Sequence, residues 1–161
     1  MSSTPPSDMK SSKFLHSFWQ VNRSLMRYVH KTASENDLSI PQYSALMTIA
    51  PHKEMTQKEL GEILQMPKST LSQAIDGLVQ ADWLHRQPVQ DNRREMQLML
   101  TEKGAVLFKK VKLQKGSFHQ TIDSAIDTLS EKQFEDLLST LHHIAEFLEN
   151  ETIIKENSQN D

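Results

Sequence analysis

Two short groups of polar side chains in this sequence are of types that contact DNA. The first group directly follows Pro67 and consists of Lys68, Ser69, Thr70, Ser72 and Gln73. Small hydroxyl residues let a backbone come close to DNA, and the exposed N–H groups at a helix start favour phosphate. Glutamine pairs with adenine, and threonine contacts the methyl group of thymine. The second group is Arg93 and Arg94, because arginine enters the minor groove, where negative potential is focused.

Each group also has a simpler explanation. Ser69 and Thr70 could serve only to cap a helix, and an exposed arginine pair is most often solvated surface charge. Capping explains one hydroxyl residue but not the whole polar series after Pro67. DNA contact is the better interpretation of both groups because the elements around them support it.

The elements around the first group are two consecutive short helices. Thr56 and Glu59 have the spacing of a capping box, and apolar residues follow them at helical spacing. The second helix is predicted over 67–81. Thr56 and Gln57, at the start of the first helix, also belong to the candidate DNA contacts.

A change to a period of two after Trp83 predicts a β-hairpin. Two alternating segments flank a polar tip formed by Asp91, Asn92, Arg93 and Arg94. Two helices joined by a tight turn over 56–81 and followed by a hairpin form a winged helix-turn-helix. The second helix of such a motif enters the major groove, and the hairpin reaches an adjacent groove or the phosphate backbone.

Long helices are predicted on both sides of this motif. Gly116 lies inside the helix that Thr101 caps, so a kink or break is expected there. The first and last helices carry broad apolar faces, and part of such a face can contact another subunit. These faces include Phe14, Phe18 and Val21 near the N-terminus and Leu137, Leu141, Ile144 and Leu148 near the C-terminus.

Composition supports a mainly helical protein and excludes cysteine chemistry. The chain has 161 residues, 37% of them hydrophobic, with 4 glycines, 6 prolines and no cysteine. One domain is the default at this length, and disulfides, thiolate nucleophiles and cysteine-ligated zinc are excluded. Residues 130–161 hold 8 acidic and 2 basic residues, whereas 1–129 hold 13 acidic and 16 basic ones. The net charge of −3 thus reflects the acidic C-terminal end, and a basic face elsewhere in the chain is compatible with it.

The two ends of the chain are polar. Residues 1–10 are rich in Ser, Thr and Pro and are predicted to be a disordered tail, and 151–161 a flexible one. No signal peptide is recognisable, and no apolar stretch approaches the length of a membrane span. The sequence therefore predicts a cytoplasmic protein without a membrane partner.

Four segments carry a resemblance to a known family. They are SIPQYSALMTIA, MTQKELGEILQMPKSTLSQAIDGL, WLHRQP and DNRREMQLMLTEKG. Over 39–104 the chain resembles the MarR (multiple antibiotic resistance regulator) family of bacterial transcription factors. The resemblance implies one domain over 11–150, with dimerisation helices at 11–36 and 117–150. The winged helix-turn-helix lobe and its connecting helix would then occupy 39–116.

The resemblance also implies a function and partners. Family members form homodimers through their N- and C-terminal helices and bind palindromic DNA, most commonly as repressors. A small anionic or phenolic ligand often weakens that binding. We therefore expect double-stranded DNA, a second copy of the chain and a small effector as partners, with no cofactor.

The wing departs from the family pattern. The family usually has Asp-x-Arg there, with the aspartate supporting the arginine. In this chain both Asp91–Arg93 and Asn92–Arg94 have that spacing. Asp91 and Asn92 are thus both candidates for wing support, and which arginine enters the minor groove stays open.

Two further positions differ from the family. Gln73 stands where the recognition helix often has an arginine, so one phosphate or guanine contact is expected to be missing. Asp82 stands where glycine is common, and this position is expected to adopt a left-handed conformation, which Asp tolerates better than most residues.

Other functions find less support in the sequence. The seven histidines form no dense cluster with acidic residues at ligand spacing, so no metal site is predicted. A phosphate-binding glycine loop, a Gly-x-Ser-x-Gly elbow and a paired-carboxylate site are not found, so no enzyme is predicted. The alternative function is a winged helix that binds a protein instead of DNA. The 7 basic and 8 acidic residues of 52–103 leave it open.

Overall fold

The computed structural model describes the backbone of residues 6–158 and the side chains of residues 9–152. This part of the chain is mainly helical with one small antiparallel sheet, which confirms the predicted fold class. The elements are α1 (Pro6–Glu35), α2 (Ile40–Ile49), β1 (Glu54–Thr56), α3 (Gln57–Leu64), α4 (Lys68–Gln80), β2 (Leu84–Val89), β3 (Asn92–Leu100), α5 (Glu102–Leu113), α6 (Phe118–Ile126) and α7 (Glu131–Ser158).

Both terminal helices extend into the segments predicted as tails. Helix α1 begins at Pro6, so the prediction of disorder is wrong for residues 6–10. Proline is compatible with the first turn of a helix. Helix α7 continues to Ser158, so residues 151–158 are helical as well. Residues 1–5 and 159–161 of the predicted tails lie outside the described chain.

Several helices begin at local signals that the sequence displays. Ser39 caps α2, because its Oγ accepts a hydrogen bond from the Gln42 N–H at 3.2 Å while Gln42 Oε1 accepts one from the Ser39 N–H at 2.9 Å. Thr101 Oγ1 accepts a hydrogen bond from the Gly104 N–H at 2.9 Å and so caps α5. These caps pair N–H groups that the first turn of a helix otherwise leaves without partners.

The sheet has three strands in the order β1-β3-β2, and both pairings are antiparallel. The hairpin of β2 and β3 confirms the prediction. Strand β1 was missed because three residues are too few to display an alternating pattern. It pairs with β3 through Glu54↔Met99, Met55↔Leu98 and Thr56↔Gln97. Since Thr56 also caps α3, the sheet holds the start of α3 next to the hairpin.

A buried cluster joins α2, α3, α4, the sheet and α5. Its fully buried members include Leu46, Ile49, Leu60, Ile75, Leu78, Leu84, Leu98 and Val111. Helix α5 approaches the chain before β2 very closely at Gly104, where an added Cβ would collide with the backbone carbonyl of Trp83. A glycine at this position lets α5 close the core beside the hairpin.

The long helix predicted after Thr101 is broken at the expected place. Helix α5 ends at Leu113 and α6 begins at Phe118, with Gly116 at a φ of 72° between them. Glycine adopts this left-handed conformation without a steric penalty. The break is held by the end of α1, where the Thr32 hydroxyl accepts a hydrogen bond from the Phe118 N–H at 2.9 Å.

The chain divides into two compact units, with the division between Gln120 and Thr121. The first unit contains the helices α1 to α5 and the sheet, the second contains α7, and α6 spans the division. The predicted lobe of 39–116 lies within the first unit. That the units form one domain over 11–150 stays a prediction.

Two features that would change the functional interpretation are missing from the described chain. Among residues 6–158, no helix is both long enough and apolar enough to span a membrane. Within the same part of the chain, no three His, Cys, Asp or Glu side chains are grouped as a metal ion would need.

Candidate nucleic-acid interface

Helix α4 turns most of the first predicted group toward solvent. Its buried side consists of Leu71, Ala74, Ile75 and Leu78. On the other side Lys68, Ser69 and Gln73 are exposed, and Thr70 and Ser72 are half-buried. Pro67 occupies the N-cap position and no side chain caps the helix, so capping does not account for the hydroxyl residues. The first N–H groups of α4 therefore lack a capping side chain at the end that carries these polar residues.

Thr56 and Glu59 form the predicted capping box at the start of α3. Thr56 Oγ1 accepts a hydrogen bond from the Glu59 N–H at 3.1 Å, and Glu59 Oε2 accepts one from the Thr56 N–H at 2.8 Å. The bond from the Thr56 backbone is the main reason why the pKa of Glu59 lies below its usual value, because it favours the charged carboxylate. The Thr56 hydroxyl is thus engaged in the cap, and Gln57 follows it as the first residue of α3.

The wing turns at Gln90 and Asp91, and both arginines belong to strand β3. Asp91 adopts a φ of 67° in this turn. The pairs on the two sides of an irregularity in the register are Pro88↔Met96 and Val89↔Asn92. Strand β3 therefore holds three residues, 93–95, for which β2 has no counterpart. The predicted four-residue tip is wrong, because the turn is tighter and the extra residues are taken up as a bulge in the strand.

Asn92 shapes the backbone in front of Arg94. Asn92 Oδ1 accepts a hydrogen bond from the Arg94 N–H at 3.2 Å, and Asn92 Nδ2 donates to Glu95 Oε2 at 3.4 Å. An asparagine that accepts from the backbone two residues ahead forms an Asx-turn. Of the two spacings that the sequence offers, this contact belongs to Asn92–Arg94, whereas Asp91 occupies the left-handed position of the turn.

A groove of about 970 Å³ lies between the helix-turn-helix and the wing. Its lining brings together five predicted site residues, namely Gln57, Lys68, Ser72, Asn92 and Arg94. The predicted residues outside the lining are Thr56, Ser69, Thr70, Gln73, Asp91 and Arg93. Glu62 and Glu95 also line the groove, so its surface carries both signs of charge.

An ion pair that the sequence analysis missed joins α4 to the wing. Arg86 Nη1 on β2 donates a hydrogen bond to Asp76 Oδ1 on α4 at 2.7 Å. The two partners are ten positions apart in the chain, on opposite sides of the turn between α4 and β2. No local spacing rule covers such a pair, because neighbours on a helix surface are three or four residues apart.

The connection between α4 and β2 adopts the conformation expected from the sequence. Asp82 has a φ of 61°, which confirms the left-handed position. Its backbone carbonyl accepts a hydrogen bond from the Thr101 hydroxyl at 2.6 Å, and its carboxylate lies 3.6 Å from Lys103 Nζ. The end of α4 is thereby tied to the start of α5.

The lobe that carries this groove matches a family of known regulators. The model of the MarR family matches residues 36–95, which run from the end of α1 into the wing. The HTH-type transcriptional regulator PecS of Dickeya dadantii (strain 3937) is 28% identical over 111 residues, which are 66% of this chain and 66% of PecS. Over residues 36–95, the chain thus matches the MarR family of transcriptional regulators. This match, together with the winged helix described above, indicates a DNA-binding transcriptional regulator.

Solved structures of other proteins share the fold of this chain. AbsC, a MarR family transcriptional regulator from Streptomyces coelicolor, is 23% identical with a TM-score of 0.72 and covers 93% of this chain and 99% of its own. NadR in complex with 4-hydroxyphenylacetate is 15% identical with a TM-score of 0.69, covering 90% and 96%. Reduced AbfR bound to DNA is 19% identical with a TM-score of 0.64, covering 88% and 96%.

The terminal helices of this chain carry large exposed apolar side chains. Phe14, Phe18 and Val21 of α1 are 44–57% exposed, and Leu137, Leu141 and Leu148 of α7 are 45–59% exposed. Ile144 is half-buried. The rings of Phe14 and Phe18 lie 6.1 Å apart and those of Phe18 and Trp19 lie 5.8 Å apart. Large exposed apolar side chains at neighbouring positions of one helix are typical of an interaction site, and their assignment to dimerisation stays a prediction.

Proposed function

We propose that this MarR-family regulator binds a palindromic DNA operator as a homodimer and represses transcription. The observation that carries the proposal is the shared groove, in which Lys68 and Ser72 of α4 line the same surface as Arg94 of the wing. A recognition helix and a wing that flank one groove can hold a duplex from two sides, with a cation on each side for the phosphates.

Helix α4 and the wing have separate roles in this proposed complex. Helix α4 reads base edges in the major groove, where the exposed Gln73 forms a bidentate pair with adenine. Lys68, Ser69 and Thr70, at the start of the helix, hold phosphate together with its first N–H groups. The wing places Arg94 in the minor groove or on the backbone, supported by the contact of Asn92 with the Arg94 N–H.

Recognition of a palindrome requires two copies of the chain. Two recognition helices spaced about one DNA turn, ~34 Å, read the two half-sites. The apolar side chains exposed on α1 and on α7 support dimerisation, because burial of such surface is the main driving force for association.

A small anionic or phenolic effector is proposed to weaken DNA binding. NadR, which shares the fold, is described in complex with 4-hydroxyphenylacetate, a molecule that is both an anion and a phenol. This compound is therefore a suitable first probe. If it acts as an effector, it will release this protein from operator DNA in a concentration-dependent manner.

The proposal is tested by fluorescence anisotropy with labelled DNA from upstream of the protein's own gene. The parent, Arg94→Ala and Arg93→Ala are titrated at several salt concentrations. Arg94→Ala should weaken binding to all operator variants and reduce the slope of log K against log salt by about one unit for each phosphate that the variant no longer neutralises. Arg93→Ala is the matched control, because it removes the same charge from the neighbouring position outside the groove.

Two outcomes would count against the proposal. Equal affinity of the parent, Arg94→Ala and Arg93→Ala at every salt concentration would exclude the wing arginines as DNA contacts. A parent that binds operator and unrelated DNA equally weakly would favour the protein-binding alternative.

A further inference from the structure

The pair Asp76–Arg86 joins the two elements that flank the groove without lining the groove itself. The 2.7 Å separation of Arg86 Nη1 and Asp76 Oδ1 is that of a charge-assisted hydrogen bond. Asp76 follows Gln73 by three residues, so the two side chains lie on neighbouring parts of the helix surface. The pair therefore begins close to the base-reading side of α4 and ends on the wing.

The two residues of the pair lie in different surroundings, one on a helix packed into the core and the other on a strand of the wing. Asp76 follows Ile75 in α4, and both Ile75 and Leu78 are fully buried in the core. Arg86 lies in the regular part of the hairpin, where it pairs with the buried Leu98. Beyond Pro88 the register becomes irregular, and most of the wing residues there are exposed. The pair thus connects a helix that packs into the core to the last regular part of the wing.

The exposure of the pair indicates that folding stability is not its main contribution. The side chains of Asp76 and Arg86 are 60% and 32% exposed, and ion pairs with this access to water add little to the free energy of folding. The placement of the wing relative to α4 is a more sensitive property. A DNA duplex must meet Arg94 and the start of α4 at the same time, and small displacements of a binding group reduce its contribution.

We propose that the Asp76–Arg86 pair is a positioning element that sets the distance between α4 and the wing. Through this distance it determines how well Arg94 and α4 fit one DNA site. The consequence for DNA binding rests on the proposed function, whereas the effect on the wing does not.

The sign of one substitution separates positioning from a direct effect of charge. If the Asp76 carboxylate acted on DNA only through its charge, Asp76→Ala would strengthen binding, because a negative charge that repels phosphate is removed. If the pair instead positions the wing, Asp76→Ala weakens DNA binding. We expect Asp76→Ala to weaken binding by about tenfold, since a dimer loses two such pairs.

The first experiment measures wing placement without DNA. The chain has no cysteine, so spin labels can be attached at two introduced cysteines, Gln80→Cys at the end of α4 and Gln90→Cys in the turn of the wing. Both positions are exposed and outside the groove lining. Labelled protein is mixed with an excess of unlabelled protein, so that only distances within one chain are recorded. Asp76→Ala and Arg86→Ala should each shift or broaden the distance distribution, and an unchanged distribution in both would overturn the proposal.

The second experiment is a double-mutant cycle of operator affinity with Asp76→Ala, Arg86→Ala and both together. If the residues act as one positioning unit, either single substitution weakens binding and the second adds nothing. Independent effects that add, or tighter binding by Asp76→Ala, would overturn the role in DNA binding. Glu62→Ala is the matched control, because it removes an exposed carboxylate from the groove and should strengthen binding. If the parent itself binds no operator, the proposed function fails, and the spin-label distances still decide the role of the pair.

Discussion

Tyr43 is a core residue whose buried hydroxyl group lowers the stability of the fold. The side chain is only 3% exposed, and in the described chain its hydroxyl has no hydrogen-bond partner. Burial raises the pKa of Tyr43 to about 12, because the phenolate would lose its hydration. We expect Tyr43→Phe to raise the free energy of unfolding by about 1 kcal/mol at pH 7, since a buried hydroxyl without a partner is destabilising. Urea unfolding followed by circular dichroism measures the change, and a clear loss of stability would show that the hydroxyl does have a partner.

The same residue makes stability depend on pH in the alkaline range. An unfolded tyrosine ionises near pH 10, whereas Tyr43 in the folded chain ionises near pH 12. Below pH 10 the tyrosine is protonated in both states, so its ionisation does not affect the free energy of unfolding. As the pH rises from 10 toward 12, the unfolded chain releases the proton first, and the free energy of unfolding falls. The parent should lose about 2–3 kcal/mol more than Tyr43→Phe over this window, at about 1.4 kcal/mol per pH unit. Parallel slopes for the two proteins between pH 10 and 12 would contradict this assignment.

Gln73 is the residue at which base preference is expected to be decided. It is exposed on α4 and stands where the family often has an arginine. Gln73→Ala should reduce discrimination at one base pair of each half-site by about 1–3 kcal/mol, the contribution of a bidentate contact. Binding to a panel of single-base operator variants measures it, with Gln80→Ala at the other end of α4 as the control. If the panel keeps the same rank order and spread, Gln73 does not read a base.

At the scale of elements, the close approach of α5 to the hairpin depends on one glycine. A Cβ at Gly104 would collide with the Trp83 carbonyl, a backbone atom that cannot move aside. Gly104→Ala should therefore lower the free energy of unfolding by about 1–3 kcal/mol, the usual cost of overpacking. Gly61→Ala in α3 is the control, because its Cβ would meet only the flexible Leu71 side chain at 3.3 Å. Alanine also favours a helix over glycine, so the control should be neutral or stabilising. Thermal unfolding of both variants should show a lower midpoint for Gly104→Ala only, and an equal loss in both would contradict the role of Gly104.

Elements marked by local signals were predictable from the sequence, and those that depend on distant contacts were not. The capping box of Thr56 and the left-handed position of Asp82 follow from residue types within a few positions. Strand β1 was missed because it exists through pairing with β3, more than forty residues later. The wing register was open because it depends on a bulge at 93–95, and the sequence alone does not locate it.

At the scale of the whole molecule, the proposed dimer depends on apolar side chains that the single chain leaves exposed. Phe18 of α1 and Leu141 of α7 are 46% and 45% exposed. Phe18→Glu combined with Leu141→Glu should yield a folded monomer, because a charge buried in an apolar interface is strongly unfavourable. Sedimentation velocity measures the association state, and helical content by circular dichroism should stay unchanged. Gln20→Glu, on an exposed position of α1, adds charge without touching the apolar face and should remain dimeric.

A persistent dimer in the double variant would move the interface to another surface. Operator affinity provides an independent measure, because a monomer engages one half-site at a time. The monomeric variant should therefore bind a full palindrome no more tightly than an isolated half-site.

The pairing of β1 with β3 affects how DNA specificity can change between relatives. Suppose that residues 84–100 were replaced by the wing of another regulator. The replaced β3 would then pair with the original β1, and all three residue pairs between the two strands would be disturbed. One of those pairs includes Thr56, so the graft would also disturb the cap at the start of α3. A chimera should therefore keep its helix-turn-helix intact only if Glu54–Thr56 is exchanged together with the hairpin. In such a lobe, new operator preferences arise more readily by single substitutions on α4 than by recombination of whole segments.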